Sequence, residues 1–406
     1  MEAFQSHKGA PVKRLSSLAI ATVAAGLFAV AACGEDDSKR QPDPWDDYQT
    51  EHIGASNMQK LDMTFVIDDS GSMCDEQRDL ATSLDRFITE LADENVDFHI
   101  GVTTTSPDDN GELGALNAQP NPIPKQTEGC QVESRLVETQ LERAIECTED
   151  PTVFEDVLPL TNDQKNCIDD PSSCAIDGFE IADLFPPEYA YRDLPKVLKR
   201  SDYLNPDYTL DVGSLRADFQ CMAMVGTSGS SFEKGLGALV ASNSPERVGE
   251  HWEVDKVPTP GASNYGLVRR NAVAAAVILT DENDCTYSND GAAYQIDEQG
   301  ACGDDACYYA SSTQLTAEES PLVSPDSLRE SWRANLETLK ERPFSSNELF
   351  VVSAHGQPVR YDGVAANTAA CESGSVPTIE TTCESNRGSA RSGDRYQRFL
   401  KGFDEG

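Results

Sequence analysis

The chain has 406 residues, with 32 Lys and Arg against 70 Asp and Glu, a formal charge of −38. That balance excludes a nucleic-acid partner, because a polyphosphate needs a cationic face, and it disfavours unaided contact with anionic lipid. The 12 cysteines are many for a reducing cytosol and point to an oxidising compartment.

Lys8, Lys13 and Arg14 open the chain with positive charge, and Leu18–Ala32 follows, apolar apart from Thr22 and Gly26. The run is shorter than the roughly 20 residues a spanning helix needs, and it fits the core of a signal peptide. It ends Val30-Ala31-Ala32-Cys33-Gly34. This ending resembles the bacterial lipobox. The resemblance implies that residues 1–32 are a lipoprotein signal peptide and that Cys33 is lipidated as the first mature residue. Gly34 in place of Asp after that Cys implies sorting to the outer membrane, so the expected location is the cell envelope, facing periplasm or cell surface. Residues 33–59, with Glu35-Asp36-Asp37, Pro42, Pro44 and Asp46-Asp47, lack apolar periodicity and read as an acidic tether.

Met63–Ile67 is a short apolar run with β-branched residues, the pattern of a buried strand. Leu80, Leu84, Phe87, Ile88 and Leu91 form one helical stripe, and Val96–Val102 reads as a second strand. Strand, helix, strand is the opening of a parallel α/β sheet. Residues 106–215 break the rhythm. They are rich in Pro, Asp, Asn and Gln, carry Cys130, Cys147, Cys167 and Cys174, and show one helical stripe at Val137, Leu141, Ala144 and Ile145. This block is expected to be a disulfide-braced insertion, since a structureless loop of that length is improbable.

The rhythm resumes after Cys221. Phe232, Leu236, Leu239 and Val240 predict a helix, and Val273–Leu279 a central parallel strand covered on both faces. Ser324-Pro325 is a helix start, with Leu328, Trp332, Leu336 and Leu339 on its buried face. Leu349–Ala354 reads as a further strand, and Tyr396, Phe399, Leu400 and Phe403 as a terminal helix. The fold class expected is α/β, a doubly wound, mostly parallel sheet flanked by helices in the Rossmann-like manner. Its core would come from residues 60–105 and 216–406.

The residues with chemistry sit at strand ends. Asp68-Asp69-Ser70-Gly71-Ser72 follows the first strand directly and sends alternate oxygens to one side. Thr280-Asp281 ends the central strand, and Gly226–Gly235 supplies hydroxyls before a helix. Oxygen-only donors suit a hard divalent cation, and parallel sheets place their sites beyond the carboxyl ends of strands. Ser72 with Asp75, and Ser230 with Glu233, also have the spacing of capping boxes. A carboxylate following an apolar strand is costly to bury without donors or a cation, so Asp68 and Asp281 are harder to explain as turn residues.

These motifs resemble a von Willebrand factor A domain with a metal-ion-dependent adhesion site. Asp68, Ser70 and Ser72 match the family's Asp-x-Ser-x-Ser, and Asp281 matches the Asp that ends its central strand. Ser230 stands where the family usually has Thr, with Thr227 or Ser231 as alternatives in register. The wording around Val225-Gly226-Thr227, Phe232-Glu233 and Leu279–Cys285 also resembles a group of bacterial lipoproteins with this domain. The resemblance implies one divalent cation, Mg²⁺ foremost with Ca²⁺ or Mn²⁺ as alternatives, held by Asp68, Ser70, Ser72, Ser230 and Asp281. It further implies a protein partner whose acidic side chain completes the coordination, beside a membrane contact made through the lipid. Asp69, Glu233, Glu282 and Asp284 lie near in sequence and would repel such a ligand. The family continues past the terminal helix where this chain stops at Gly406. With Cys33 lipidated an odd number of cysteines remains, so a free thiol or a lost partner cysteine is expected.

Three functions follow from this reading. The first is a cation-dependent binding module. The second is a structural envelope lipoprotein, in which the metal only stabilises the fold and the insertion makes contacts. The third, a metal-assisted hydrolase, has little behind it. The 5 histidines show no paired ligand spacing, and there is no His-Glu-x-x-His, P-loop or Gly-x-Ser-x-Gly. A binding protein rather than an enzyme is expected. Cys167 with Cys174, and Cys302 with Cys307, suit zinc in spacing, but the export context favours disulfides.

Overall fold

A computed structural model describes residues 60–73, 87–89, 91–92, 96–107, 113–123, 132–148, 151–154, 157–185, 191–230, 232–249, 262–287, 322–343, 349–354, 383–385 and 388–403. The signal peptide, Cys33, the tether, Asp75, Cys130, Ser231, Cys302 and Cys307 lie outside the described residues.

The first two strands are β1 (Lys60–Ile67) and β2 (Asp97–Thr104), and a two-residue β3 (Leu198–Lys199) follows. β4 (Val273–Leu279) and β5 (Leu349–Ala354) complete a sheet ordered β3-β2-β1-β4-β5. β2, β1, β4 and β5 run parallel, and β3 closes the β2 edge antiparallel. A separate antiparallel pair, β6 (Cys383–Ser385) and β7 (Gly388–Ala390), precedes the last helix.

Side chains alternate across the sheet, and each set meets its own layer. Phe65, Ile67, Phe98, Ile100, Val102, Val277 and Leu279 enter one apolar core with Phe87, Ile88 and Leu91. Phe65 meets Phe87 and Phe219 edge to face, with ring centroids 5.5 and 4.9 Å apart. Helices α1 (Ser134–Glu146), α2 (Asn162–Asp169) and α3 (Val212–Ala223) lie in or beside the stretch read as an insertion. Val137, Leu141, Ile168, Leu215 and Phe219 from these helices join the same core.

The opposite face takes Val66, Ala274, Ala276 and Ile278. Over it lie α4 (Gly235–Ser242), α5 (Pro325–Lys340) and α6 (Asp394–Lys401), through Leu236, Leu239, Trp332, Leu336, Tyr396 and Phe399. The result is an α/β sheet with helices on both faces, of general Rossmann-like architecture. Among the described residues, no helix is long and apolar enough to cross a membrane.

Cys147 bonds Cys221, closing a sequence separation of 74, and Cys167 bonds Cys174. Cys285 is also disulfide-bonded, and among the described residues no cysteine is free. Zinc at Cys167 and Cys174 is therefore set aside.

Several elements start or end where local chemistry dictates. Ser324 caps α5, its Oγ accepting the Ser327 N–H at 3.1 Å. α4 begins at Gly235 with Lys234 at its N-cap and no side-chain cap bond, so the capping box expected of Ser230 and Glu233 is not formed. The caps come instead from a distant loop. Asp284 Oδ1 accepts the Leu236 N–H at 2.9 Å, and Thr286 Oγ1 accepts the Gly237 N–H at 2.9 Å. Phe232 accordingly precedes the helix rather than opening it. Phe403 falls just past α6, yet its ring still packs on Trp332 with centroids 6.2 Å apart.

At the amino end of the sheet, Asp62 accepts from the Arg269 N–H at 2.5 Å and its Nε at 2.7 Å. Lys340 Nζ donates to the carbonyls of Arg269 and Ala272, both at 2.8 Å, and lies 3.9 Å from Asp62. His99 donates through Nδ1 to Gly266 O at 2.5 Å, and burial with the Arg269 charge pulls its pKa down to about 3. This imidazole is neutral and belongs to the scaffold, at the end of the sheet away from Asp68 and Asp281.

Candidate metal centre

Strand register brings the site together. Ile67 pairs with Thr104 on one side and Leu279 on the other. The next residues, Asp68, Thr105 and Thr280, therefore leave three adjacent strands at one level. The Asp68 N–H extends the ladder to Leu279 O at 2.9 Å. Its carboxylate is fully buried and is held from both neighbours. Oδ2 accepts the Thr280 hydroxyl at 2.6 Å, and Oδ1 accepts the Ser70 N–H at 2.8 Å and the Thr105 hydroxyl at 3.4 Å.

The chain then turns through a 3-10 turn, Gly71–Met73. That tight turn sets Ser70 Oγ 3.0 Å from Ser72 Oγ, and Ser72 Oγ donates to Asp281 Oδ1 at 3.1 Å. Asp68, Ser70, Ser72 and Asp281 are thus joined in one continuous chain of polar contacts across two strand ends. Asp281 is fixed in turn by its carbonyl, which accepts the Arg391 N–H at 2.7 Å.

Ser230 reaches this edge from the β2 side. Its N–H donates to Ser106 Oγ at 2.8 Å, while its hydroxyl accepts the Phe232 N–H at 3.0 Å. The loop that carries it is pinned by Gly229 N–H to Asp69 O at 2.7 Å and by Lys234 N–H to Thr105 O at 3.0 Å. A Cβ on Gly229 would collide with the Asp69 carboxylate and with Ser106 Oγ, so glycine lets the loop close against these two residues. Of the five residues expected to share an ion, four are directly linked, and Ser230 sits on the adjoining loop with its hydroxyl on the backbone. Thr227, the alternative in register, is buried nearby in sequence.

The electrostatics are those of crowded acids. Burial raises the Asp68 pKa against the pull of its Thr280, Ser70 and Thr105 donors. Asp69 is pushed up to about 6 by burial and by the Asp68 charge. Glu233 is raised well above the usual carboxylate range by burial, then by the charges of Glu282, Asp68 and Asp281. Arg391 pairs with Glu282 at 3.3 Å. The neighbouring acid, Asp284, is committed elsewhere: Oδ2 accepts from Arg395 Nη2 at 2.8 Å and Nε at 3.1 Å. That pair ties the loop after β4 to the first turn of α6.

Among the described residues, no group of three or more His, Cys, Asp or Glu side chains is arranged to hold a metal ion. The set at this edge has two carboxylates, with hydroxyls for the rest, a hard-oxygen set of the kind that suits Mg²⁺ or Ca²⁺. Sequence reasoning missed Thr105 and Thr280, which orient Asp68, and the role of Asp69 as the clamp on the glycine loop. The strand ends at which Thr105 and Thr280 stand were the available signal. No protein-family model matches the chain, and no curated protein is detectably similar to it.

Proposed function

We propose that this chain is an exported, lipid-anchored envelope protein whose α/β domain binds one divalent cation and, through it, a partner protein. In this reading Asp68, Ser70, Ser72 and Asp281 surround the ion directly or through water, with Ser230 on the open side. On this proposal the domain is similar to a von Willebrand factor A domain with a metal-ion-dependent adhesion site. Cys33 carries the lipid, and residues 33–59 hold the domain off the membrane. Two carboxylates balance the charge of the ion, and a carboxylate from the partner takes the remaining position. The observation that carries the proposal is the polar chain Asp68–Ser70–Ser72–Asp281, which joins two strand ends 209 residues apart at the Ser72–Asp281 contact. Such a rim of buried acids is costly without a counter-charge.

Titrating Mg²⁺ into the full chain by calorimetry tests this. One ion is expected to bind, with a raised melting temperature, and Asp68→Ala or Asp281→Asn abolishes both effects. Equal melting shifts in variant and wild type refute it. A second reading draws on the burial of Asp68 and Ser70, only 0% and 2% exposed. There the ion merely braces the loops, and residues 106–215 make the contacts. Partner capture by the full chain that survives a chelator but is lost in the surface variants Ile176→Ser and Tyr208→Ser, both exposed on that stretch, favours this second reading.

A further inference from the structure

Glu233 is left unused by the site described so far. Its side chain is 1% exposed, and its Oε1 has no hydrogen-bond partner among the described residues. A buried acceptor in that condition is destabilising and calls for an explanation. It does not escape by swinging away, because the main chain is fixed on either side. Cys285 N–H donates to Glu233 O at 2.6 Å, and Lys234 N–H donates to Thr105 O at 3.0 Å. The same Thr105 whose carbonyl holds the Lys234 N–H donates its hydroxyl to Asp68 Oδ1 at 3.4 Å, so Glu233 is anchored beside the strand end that carries the candidate ion.

We infer that Glu233 is a third carboxylate of the cation site, its Oε1 accepting a hydrogen bond from a water bound to the ion. This rests on the cation reading above. A hydrated divalent ion supplies the donor that Oε1 lacks among the described residues, and it brings positive charge to the buried carboxylate. The role is outer-sphere: among the described residues no three acids are arranged to grip an ion together. Such partners orient bound water and tune the metal. Asp68 and Asp281 already balance a divalent ion, so Glu233 makes the occupied site anionic. The site then favours ions of higher charge.

The test compares the full-length wild type with Glu233→Gln and Glu233→Asp, using calorimetric titration with Mg²⁺ and with Tb³⁺. Melting curves in chelator serve as the folding control. Gln keeps the shape and removes the charge. It is expected to melt no lower than wild type without metal, to bind Mg²⁺ about 10- to 100-fold more weakly, and to lose more for Tb³⁺ than for Mg²⁺. Asp retains the charge and is expected to keep the preference for Tb³⁺. Glu233→Gln affinities within twofold of wild type for both ions, while Asp281→Asn abolishes binding, overturn the role of Glu233 and leave the cation reading intact. A wild type that binds neither ion overturns both.

Discussion

Asp69 offers a quantitative check on the electrostatics of this sheet edge. Its carboxyl is nearly buried, beside the Asp68 carboxylate, with the Thr105 hydroxyl at 3.3 Å as a donor. Burial and that neighbouring charge move its pKa from 3.8 to about 6. The folded state therefore holds the proton more tightly than the unfolded chain. Stability is full below about pH 4, falls as the pH rises, and levels off once the pH passes about 6. The displacement corresponds to about 3 kcal/mol. Asp69→Asn removes this titration and little else in volume. Guanidinium denaturation of both proteins in chelator, from pH 4 to pH 8, isolates the contribution as a difference. Wild type is expected to lose about 2 kcal/mol relative to the variant across that range, the rest of the displacement falling below pH 4. Parallel curves, or a wild type that gains on the variant as pH rises, would refute the account of Asp69.

Three further outcomes are expected. Arg395→Leu leaves the fully buried Asp284 without its guanidinium, and should cost about 3–5 kcal/mol in denaturant unfolding; a loss below about 1 kcal/mol would mean the pair is not a strut of the loop after β4. Gly229→Ala drives a methyl into the Asp69 carboxylate and Ser106, so it should destabilise by about 1–3 kcal/mol and weaken Mg²⁺ binding in the same titration; an unchanged melting temperature argues against the close loop. Opening the Cys147–Cys221 bridge as a double Ser variant frees a separation of 74 residues and should lower stability by about 4 kcal/mol, read by thermal unfolding under non-reducing conditions.

The strands were the most legible part of the chain. Val273–Leu279 is uniformly apolar because helices cover both faces of β4, and its bounds agree with the structure residue for residue. Ser324-Pro325 gave the start of α5 for an equally local reason, a cap followed by a proline that needs no donor. Other features depend on contacts that no local pattern encodes. α2, Asn162–Asp169, has only Cys167 and Ile168 buried, so no apolar stripe announces it. The capping of α4 by Asp284 and Thr286 joins residues 48 and 49 apart, and the same Asp284 holds Arg395 at a separation of 111. At the site, Asp68, Ser70, Ser72 and Asp281 were readable because each lies at a strand end. Glu233 has the sequence spacing of an ordinary capping residue, and only the start of α4 at Gly235 reveals it as a buried acid ahead of the helix.

The most direct test is a crystal structure of the protein grown with Mn²⁺, whose anomalous scattering marks the ion without interpretation. The expected result is a single peak at the carboxyl edge of β1 and β4, bonded to the hydroxyls of Ser70 and Ser72 and flanked by Asp68 and Asp281. A peak elsewhere, or none while the Ser72–Asp281 hydrogen bond stays intact, would contradict the proposal that these two strand ends share an ion.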